Sequence, residues 1–219
     1  MIIKAVLFDL DGTLVDSLED LTDAVNQMLD TLGRSTLDGC EVRQLIGKGA
    51  RNLVQGALKS DTDEEIEQGL TLFVDYNSAH IADKSRLYPG VREVLELLRA
   101  GGLRMVIISN KGEALSRLIL ETLDIDGFFE IICGGDTFPE MKPSPLPLLK
   151  VTQQLGIDPD EALMVGDSIN DIAAAMSASI TAVGCAWGYG SDAELVNAEY
   201  VIGSIGELYG VVKNYFSII

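Results

Sequence analysis

From Tyr88 onward the chain alternates between short apolar runs and amphipathic stretches, and that alternation admits few folds. Tyr88-Pro89-Gly90 opens a helical pattern over Val91 to Arg99, and glycines 101 and 102 close it. Leu103 to Ser109 then reads as a strand buried on both faces. Further strands are predicted at Glu130 to Cys133, Ala162 to Val165, Ile180 to Val183 and Tyr200 to Ile202. Helices are predicted near Ala114 to Leu123, Pro145 to Leu155, Ile169 to Ser177 and Ile205 to Tyr215. Strand and helix in regular succession specify an α/β fold, a doubly wound parallel sheet covered by helices.

The first strand of such a sheet stands apart from the rest. Ala5-Val6-Leu7-Phe8-Asp9-Leu10-Asp11-Gly12-Thr13 carries an apolar run broken by two acids and a turn glycine, which sets Asp9 and Asp11 at the strand's carboxyl edge. Between it and Tyr88 the periodicity is helical. Asp16 and Ser17 offer N-caps, and Leu21, Ala24, Val25, Met28, Leu29 and Leu32 recur at helical spacing up to Gly33. Val42, Leu45 and Ile46, then Leu53, Val54 and Leu58, then Ile66, Leu70, Phe73 and Val74 continue that spacing, with no strand evident. The expected organisation is a catalytic core of residues 1–16 and 87–219, with a helical cap of residues 17–86 inserted into it.

Composition narrows the partners. A net charge of -18 over 219 residues, with no basic cluster, repels nucleic acid and anionic membranes. Three cysteines (Cys40, Cys133, Cys185), far apart and without C-x-x-C spacing, argue against a disulfide framework and a zinc site, and fit a reducing cytoplasm. Met1-Ile2-Ile3-Lys4 leads into an apolar stretch cut short by Asp9, so it is read as part of the fold rather than as a signal or a membrane span. A monomer or a homodimer is expected.

Three more polar points follow predicted strands: Ser109 with Asn110, Lys142 in a proline-rich loop, and Gly166-Asp167-Ser168-Ile169-Asn170-Asp171. Parallel strands gather their carboxyl ends at one edge, where open α/β sheets bind ligands. Asp9, Asp11, Ser109, Lys142, Asp167 and Asp171 are therefore expected to converge. Taken singly, each has a plain structural role as a turn cap, a helix cap or a solvated loop charge; taken together, at separate strand ends, they imply a site. Several carboxylates with one lysine call for a cation, and an all-oxygen donor set suits Mg²⁺. A carboxylate can also attack phosphorus, while a neighbouring acid protonates the leaving alcohol and later activates water.

The order Asp-x-Asp-Gly-Thr, Ser, Lys, Gly-Asp-x-x-x-Asp resembles the haloacid dehalogenase superfamily over nearly the whole chain. The resemblance implies a Rossmann-like core in which Asp9 is the nucleophile and a metal ligand. Asp11 would be the general acid and base, lending its backbone carbonyl to the metal. Ser109 would hydrogen-bond the phosphoryl group, and Lys142 would stabilise both its charge and the nucleophile. Asp167 would touch Mg²⁺ directly, with Asp171 behind it. Because an ester's leaving group needs a proton and a departing halide does not, Asp11 favours phosphate chemistry over dehalogenation.

Ile-Gly-x-Gly-Ala (residues 46–50), Tyr-Pro-Gly-Val, Ser-Asn-Lys and Gly-Asp-Ser-x-Asn-Asp are similar to segments of the phosphoglycolate phosphatase branch. That implies a small phosphorylated metabolite as substrate. Gly47 would allow close backbone approach, and Lys48, Arg51 or Lys111 would meet its second anionic end, with Thr13 and Asn110 also near the substrate. One departure is the end of the helix after Asp171, Met176-Ser177-Ala178-Ser179, which lacks the glycine common there. Other readings of the same core are a β-phosphoglucomutase-like phosphotransferase, a phosphonoacetaldehyde hydrolase with Lys48 as Schiff-base lysine, and a catalytically silent binder of phosphorylated metabolites. His80 is read as packed or exposed, and Trp187 and Tyr189 as packing at the core's edge rather than stacking a ligand.

Overall fold

Strand β1 (Ala5–Phe8) is buried at every position, which explains its unbroken apolar sequence. Alternation sends Val6 and Phe8 into one apolar cluster and Ala5 and Leu7 into another, on opposite faces of the sheet. The coordinates, a computed structural model, describe residues 2–215; the expected beginning of the core at Met1 and its end at Ile219 lie outside the described residues.

After β1 come β2 (Val15–Asp16), α1 (Leu18–Thr31), α2 (Gly39–Arg43), α3 (Gly49–Leu58), α4 (Asp63–Ala79) and β3 (Arg86–Leu87). The alternating region follows as α5 (Val91–Ala100), β4 (Arg104–Ile108), α6 (Glu113–Thr122), β5 (Ile131–Cys133), α7 (Leu146–Leu155) and β6 (Ala162–Gly166). It closes with α8 (Ile169–Ala178), β7 (Thr181–Cys185), β8 (Tyr200–Ile202) and α9 (Glu207–Tyr215). Among the described residues six strands form one parallel sheet in the order β5-β4-β1-β6-β7-β8. Ala5 pairs with Arg104 on one side and Ala162 on the other, so β1 is central. Helices α5, α6 and α9 cover one face, through residues such as Leu95, Ile119 and Leu208; α7 and α8 cover the other, through Val151 and Ile172. This is the doubly wound α/β architecture expected from the alternation.

The helical segment has its own apolar cluster, built on Val25, Met28, Val54 and Phe73. Its two stems lie side by side, because β2 and β3 pair antiparallel, Val15 opposite Leu87 and Asp16 opposite Arg86. Each is only two residues long, too short to carry a periodic signal, and neither was legible in the sequence. Asp20, buried at the start of α1, fixes the returning stem: its carboxylate accepts from Ser85 Oγ at 2.6 Å, from Ser85 N–H at 2.7 Å and from Lys84 N–H at 3.1 Å. Hydrogen bonds to a carboxylate are strong ones, so this stem is firmly held.

Candidate active site

Asp9, Ser109 and Asp167 directly follow β1, β4 and β6, the three neighbouring central strands. The ladder continues one step past β1 and β4, since Asp9 N–H donates to the Val165 carbonyl at 2.9 Å and Ser109 N–H to that of Cys133 at 3.0 Å. Lys142 comes from the loop before α7 and is 2% exposed. Its Nζ donates to Asp9 Oδ1 at 2.8 Å and to Asp171 Oδ1 at 2.6 Å. Asp171 lies in the first turn of α8 and is fixed there, because its other oxygen accepts from Ser168 N–H at 3.1 Å and Ser168 Oγ at 2.8 Å. It is thus a helix-capping acid and an ion-pair partner together.

Asp167 sits in a cradle that only glycines permit. A methyl group on Gly12, whose φ is +86°, or on Gly188 would overlap its carboxylate. Oδ2 accepts from Tyr189 N–H at 2.6 Å and Gly190 N–H at 3.3 Å, and Oδ1 from Thr13 Oγ1 at 3.3 Å. One oxygen each of Asp9, Asp167 and Asp171 lie within 4.8 Å of one another, an all-oxygen donor set that fits a hard divalent cation.

Charge in this cluster is unbalanced. Burial pushes the Asp9 carboxyl up to about 8, with Asp171 and Asp167 adding to the rise and the Lys142 ammonium opposing it. Burial likewise raises Asp167 to about 6, aided by Asp171 and opposed by the two loop N–H groups and Lys142. For Lys142 burial acts downward, but the carboxylates of Asp171 and Asp9 outweigh it and hold the ammonium above its usual range. Three acids around one base leave an excess of negative charge that a bound cation would offset.

Asp11 faces the same cavity from the turn after β1. Its carboxylate accepts from Ser17 Oγ at 2.6 Å and pairs with Lys111 Nζ at 3.2 Å. Lys111, on the loop after β4, is buried against this acid rather than solvated. The cavity measures about 680 Å³ and is lined by Asp9, Asp11, Ser109, Lys142, Asp167 and Asp171 together with Gly47, Lys48, Asn110 and Lys111. Two expected substrate contacts are not on its wall. Thr13 is buried and its hydroxyl is spent on Asp167, while Arg51 turns outward to Glu67 and to Asp63, the latter at 2.7 Å, because α4 offers those carboxylates across the α3–α4 interface.

The helical segment meets the sheet edge through Gly47 and Asn110, both expected near the substrate, and through Arg43 and Asn170, to which sequence reasoning gave no role. The Gly47 carbonyl accepts from Asn110 Nδ2 at 2.8 Å and Asn170 Nδ2 at 3.1 Å. Arg43 donates to the carbonyls of Gly188 at 2.6 Å and Tyr189 at 3.0 Å, on the same loop whose N–H groups hold Asp167. Tyr189 itself lines the cavity, and its hydroxyl accepts from Ser17 N–H at 2.6 Å and bonds Asp16 at 3.0 Å at the stem of the segment. The glycines flanking Tyr189 were the available signal for that loop. Trp187 packs edge-on to Tyr88 and donates to the Thr13 carbonyl at 3.2 Å, and His80 is exposed, paired with Asp83 at 2.8 Å and remote from the cavity wall.

The chain is similar to known proteins over nearly its whole length. The chain is 46% identical over 217 residues to the phosphoglycolate phosphatase of Chromobacterium violaceum, covering 97% of each chain. It is 41% identical to that of Neisseria gonorrhoeae, covering 94% of this chain and 92% of the relative. A crystal structure described as a predicted phosphoglycolate phosphatase from Haemophilus somnus superposes with a TM-score of 0.91 at 32% identity, over 96% of this chain and 98% of the other. Residues 6–185 match the haloacid dehalogenase-like hydrolase family, and the chain belongs to that family.

Proposed function

We propose that the protein is a Mg²⁺-dependent phosphomonoester hydrolase acting through an aspartyl-phosphate on Asp9, with 2-phosphoglycolate as its substrate. The observation that carries the reading is the ion-paired cluster of Asp9, Lys142 and Asp171 beside Asp11 in one cavity. The likeness to relatives named phosphoglycolate phosphatase supports the choice of ester.

In this account Asp9 attacks phosphorus and the bond to the ester oxygen breaks, while Asp11 gives the departing alkoxide its proton. Asp11, held by Ser17 and Lys111, then takes a proton from water as that water attacks the phosphorus of the aspartyl-phosphate. Inorganic phosphate leaves and the Asp9 carboxylate is regenerated. Lys142 orients Asp9 and offsets charge on the transferring group, and Ser109 donates to one of its oxygens. Asp9, Asp167 and the Asp11 backbone carbonyl would hold Mg²⁺, with Asp171 positioning from behind. Bound there, the ion neutralises charge on the phosphoryl oxygens.

The segment of residues 17–86 acts as a cap, and the Gly47 and Arg43 contacts are its closed position. Lys48 and Lys111 on the cavity wall suit the carboxylate of the ester. A panel of phosphorylated metabolites assayed for phosphate release with Mg²⁺ tests the reading. It predicts 2-phosphoglycolate among the preferred esters and no isomerised sugar phosphate; turnover only to an isomer would instead identify a mutase.

A further inference from the structure

The cavity does not stop at the sheet edge. It continues between the helices of the inserted segment, where its wall is Leu21 of α1, Leu53 of α3, and Phe73 and Asn77 of α4. The buried stripe of α4 runs Ile66, Gly69, Phe73, Asn77, so an amide occupies a core position at which helical spacing calls for an apolar side chain. Asn77 is 2% exposed. Among the described residues, two buried side-chain oxygens lack a hydrogen-bond partner: Asn77 Oδ1 and Asn110 Oδ1. Both residues line this one cavity. Asn110 already spends its Nδ2 on the carbonyls of Gly47 and Lys142, whereas no hydrogen bond among the described residues holds the Asn77 side-chain amide. Buried polar groups in native proteins are nearly always paired, so an unheld amide in the wall of a cavity points to a ligand that pairs it.

The ligand's chemistry follows from what is missing. An amide carries one acceptor oxygen and one donor nitrogen, so a single neutral polar group can meet whichever of them turns to the cavity. Leucine and phenylalanine walls, moreover, make a buried charge there expensive. A hydroxyl fits, since it donates and accepts and so satisfies an amide in either orientation. The volume fits a longer molecule as well: about 680 Å³ falls within the roughly 300–1,000 Å³ of sites for drug-sized ligands, well beyond the needs of a two-carbon ester.

We infer that this inner compartment, with Asn77 as its specificity-determining residue, binds the hydroxyl-bearing far end of phosphomonoesters longer than a two-carbon acid. The protein then has a second class of substrate, hydroxylated alkyl or polyol phosphates. The inference rests on the phosphatase reading for turnover, though not for binding.

The test compares ω-hydroxyalkyl phosphates of about four to six carbons with alkyl phosphates of the same length. One neutral hydrogen bond predicts that the wild-type protein favours the hydroxylated series in kcat/KM by about five- to tenfold, and that Asn77→Leu abolishes that ratio mainly through KM. Asn77→Leu should not lower the melting temperature, because it removes an unpaired amide; an Asn77 with a purely structural role would show the opposite. Asn77→Ala provides a second variant should leucine not fit.

Equal preference for the two series in the wild-type protein, or equal losses on both in the variants, would overturn the inference. Calorimetric binding of the same pairs to Asp9→Asn protein, with and without Asn77→Leu, separates the two readings. Binding that depends on Asn77 without turnover by the wild-type chain would sink the hydrolase reading and leave the compartment standing. No difference in binding would remove the compartment whatever the turnover.

Discussion

Lys142 and Asp171 show how one residue serves fold and site together. Asp171 caps α8 through Ser168 and pairs with the buried Lys142, which in turn fixes Asp9. A buried ion pair of this kind contributes little net stability against an apolar replacement, but removing one member strands the other, so its value lies in orientation. Ser179 records a local cost. It ends α8 at φ 59°, the left-handed region that glycine adopts freely and a residue with a Cβ does not. Ser179→Gly is expected to stabilise the protein by about 0.5–1 kcal/mol in urea denaturation with activity unaltered. The missing glycine was visible in the sequence, and the backbone conformation it implies is the one found. Arg51 was not so legible. Its charge and position beside a glycine turn fitted an anion site equally well, and the deciding partners, Asp63 and Glu67, come from another helix.

At the scale of elements, the strands and helices of the sheet region were legible because burial on both faces leaves long apolar runs, and the acids at their ends interrupt those runs abruptly. The helices of the inserted segment were legible, and in α1 and α3 so was their facing, since Leu21, Ala24, Val25, Met28 and Leu29, and Leu53, Val54 and Leu58, are all buried. Helix α4 is rotated somewhat from its expected facing, with Leu70 and Val74 only partly buried against the same cluster. Leu70 and Val74 had been grouped with Ile66 and Phe73, whereas the structure buries Ile66, Gly69, Phe73 and Asn77. Rotation of an amphipathic helix is set by its neighbours, which periodicity alone does not reveal. The Gly188-Tyr189-Gly190 loop was opaque for a similar reason, since it works through backbone groups: its N–H groups hold Asp167 while its carbonyls receive Arg43. The contact of the inserted segment with the sheet edge and the position of Asp167 therefore share one loop. Arg43→Ala is expected to lower kcat/KM on 2-phosphoglycolate by about tenfold with the melting temperature little changed, as two partly exposed hydrogen bonds are lost from the closed form only. Steady-state kinetics with a thermal melt checks it; a loss of stability without a kinetic effect would assign Arg43 to the fold alone.

For the whole molecule, the net charge of -18 makes the concentration of acids at one sheet edge costly unless a cation is bound. Asp9 and Asp167 are raised from the ordinary 3.8 to about 8 and about 6, so between pH 4 and 8 the metal-free folded protein holds more protons than the unfolded chain. Its stability should fall as pH rises through that window. Mg²⁺ favours the ionised carboxylates and is expected to raise the melting temperature more at pH 8 than at pH 5; equal shifts at both would detach the metal from these acids. The central claim is that Asp9 is the nucleophile, and the direct measurement is phosphate release from 2-phosphoglycolate by Asp9→Asn protein with Mg²⁺ present. The account predicts a loss of at least about 10⁴-fold in kcat with the fold retained, since no other residue in the cavity takes over the covalent step. Turnover within about tenfold of the wild-type rate would contradict it.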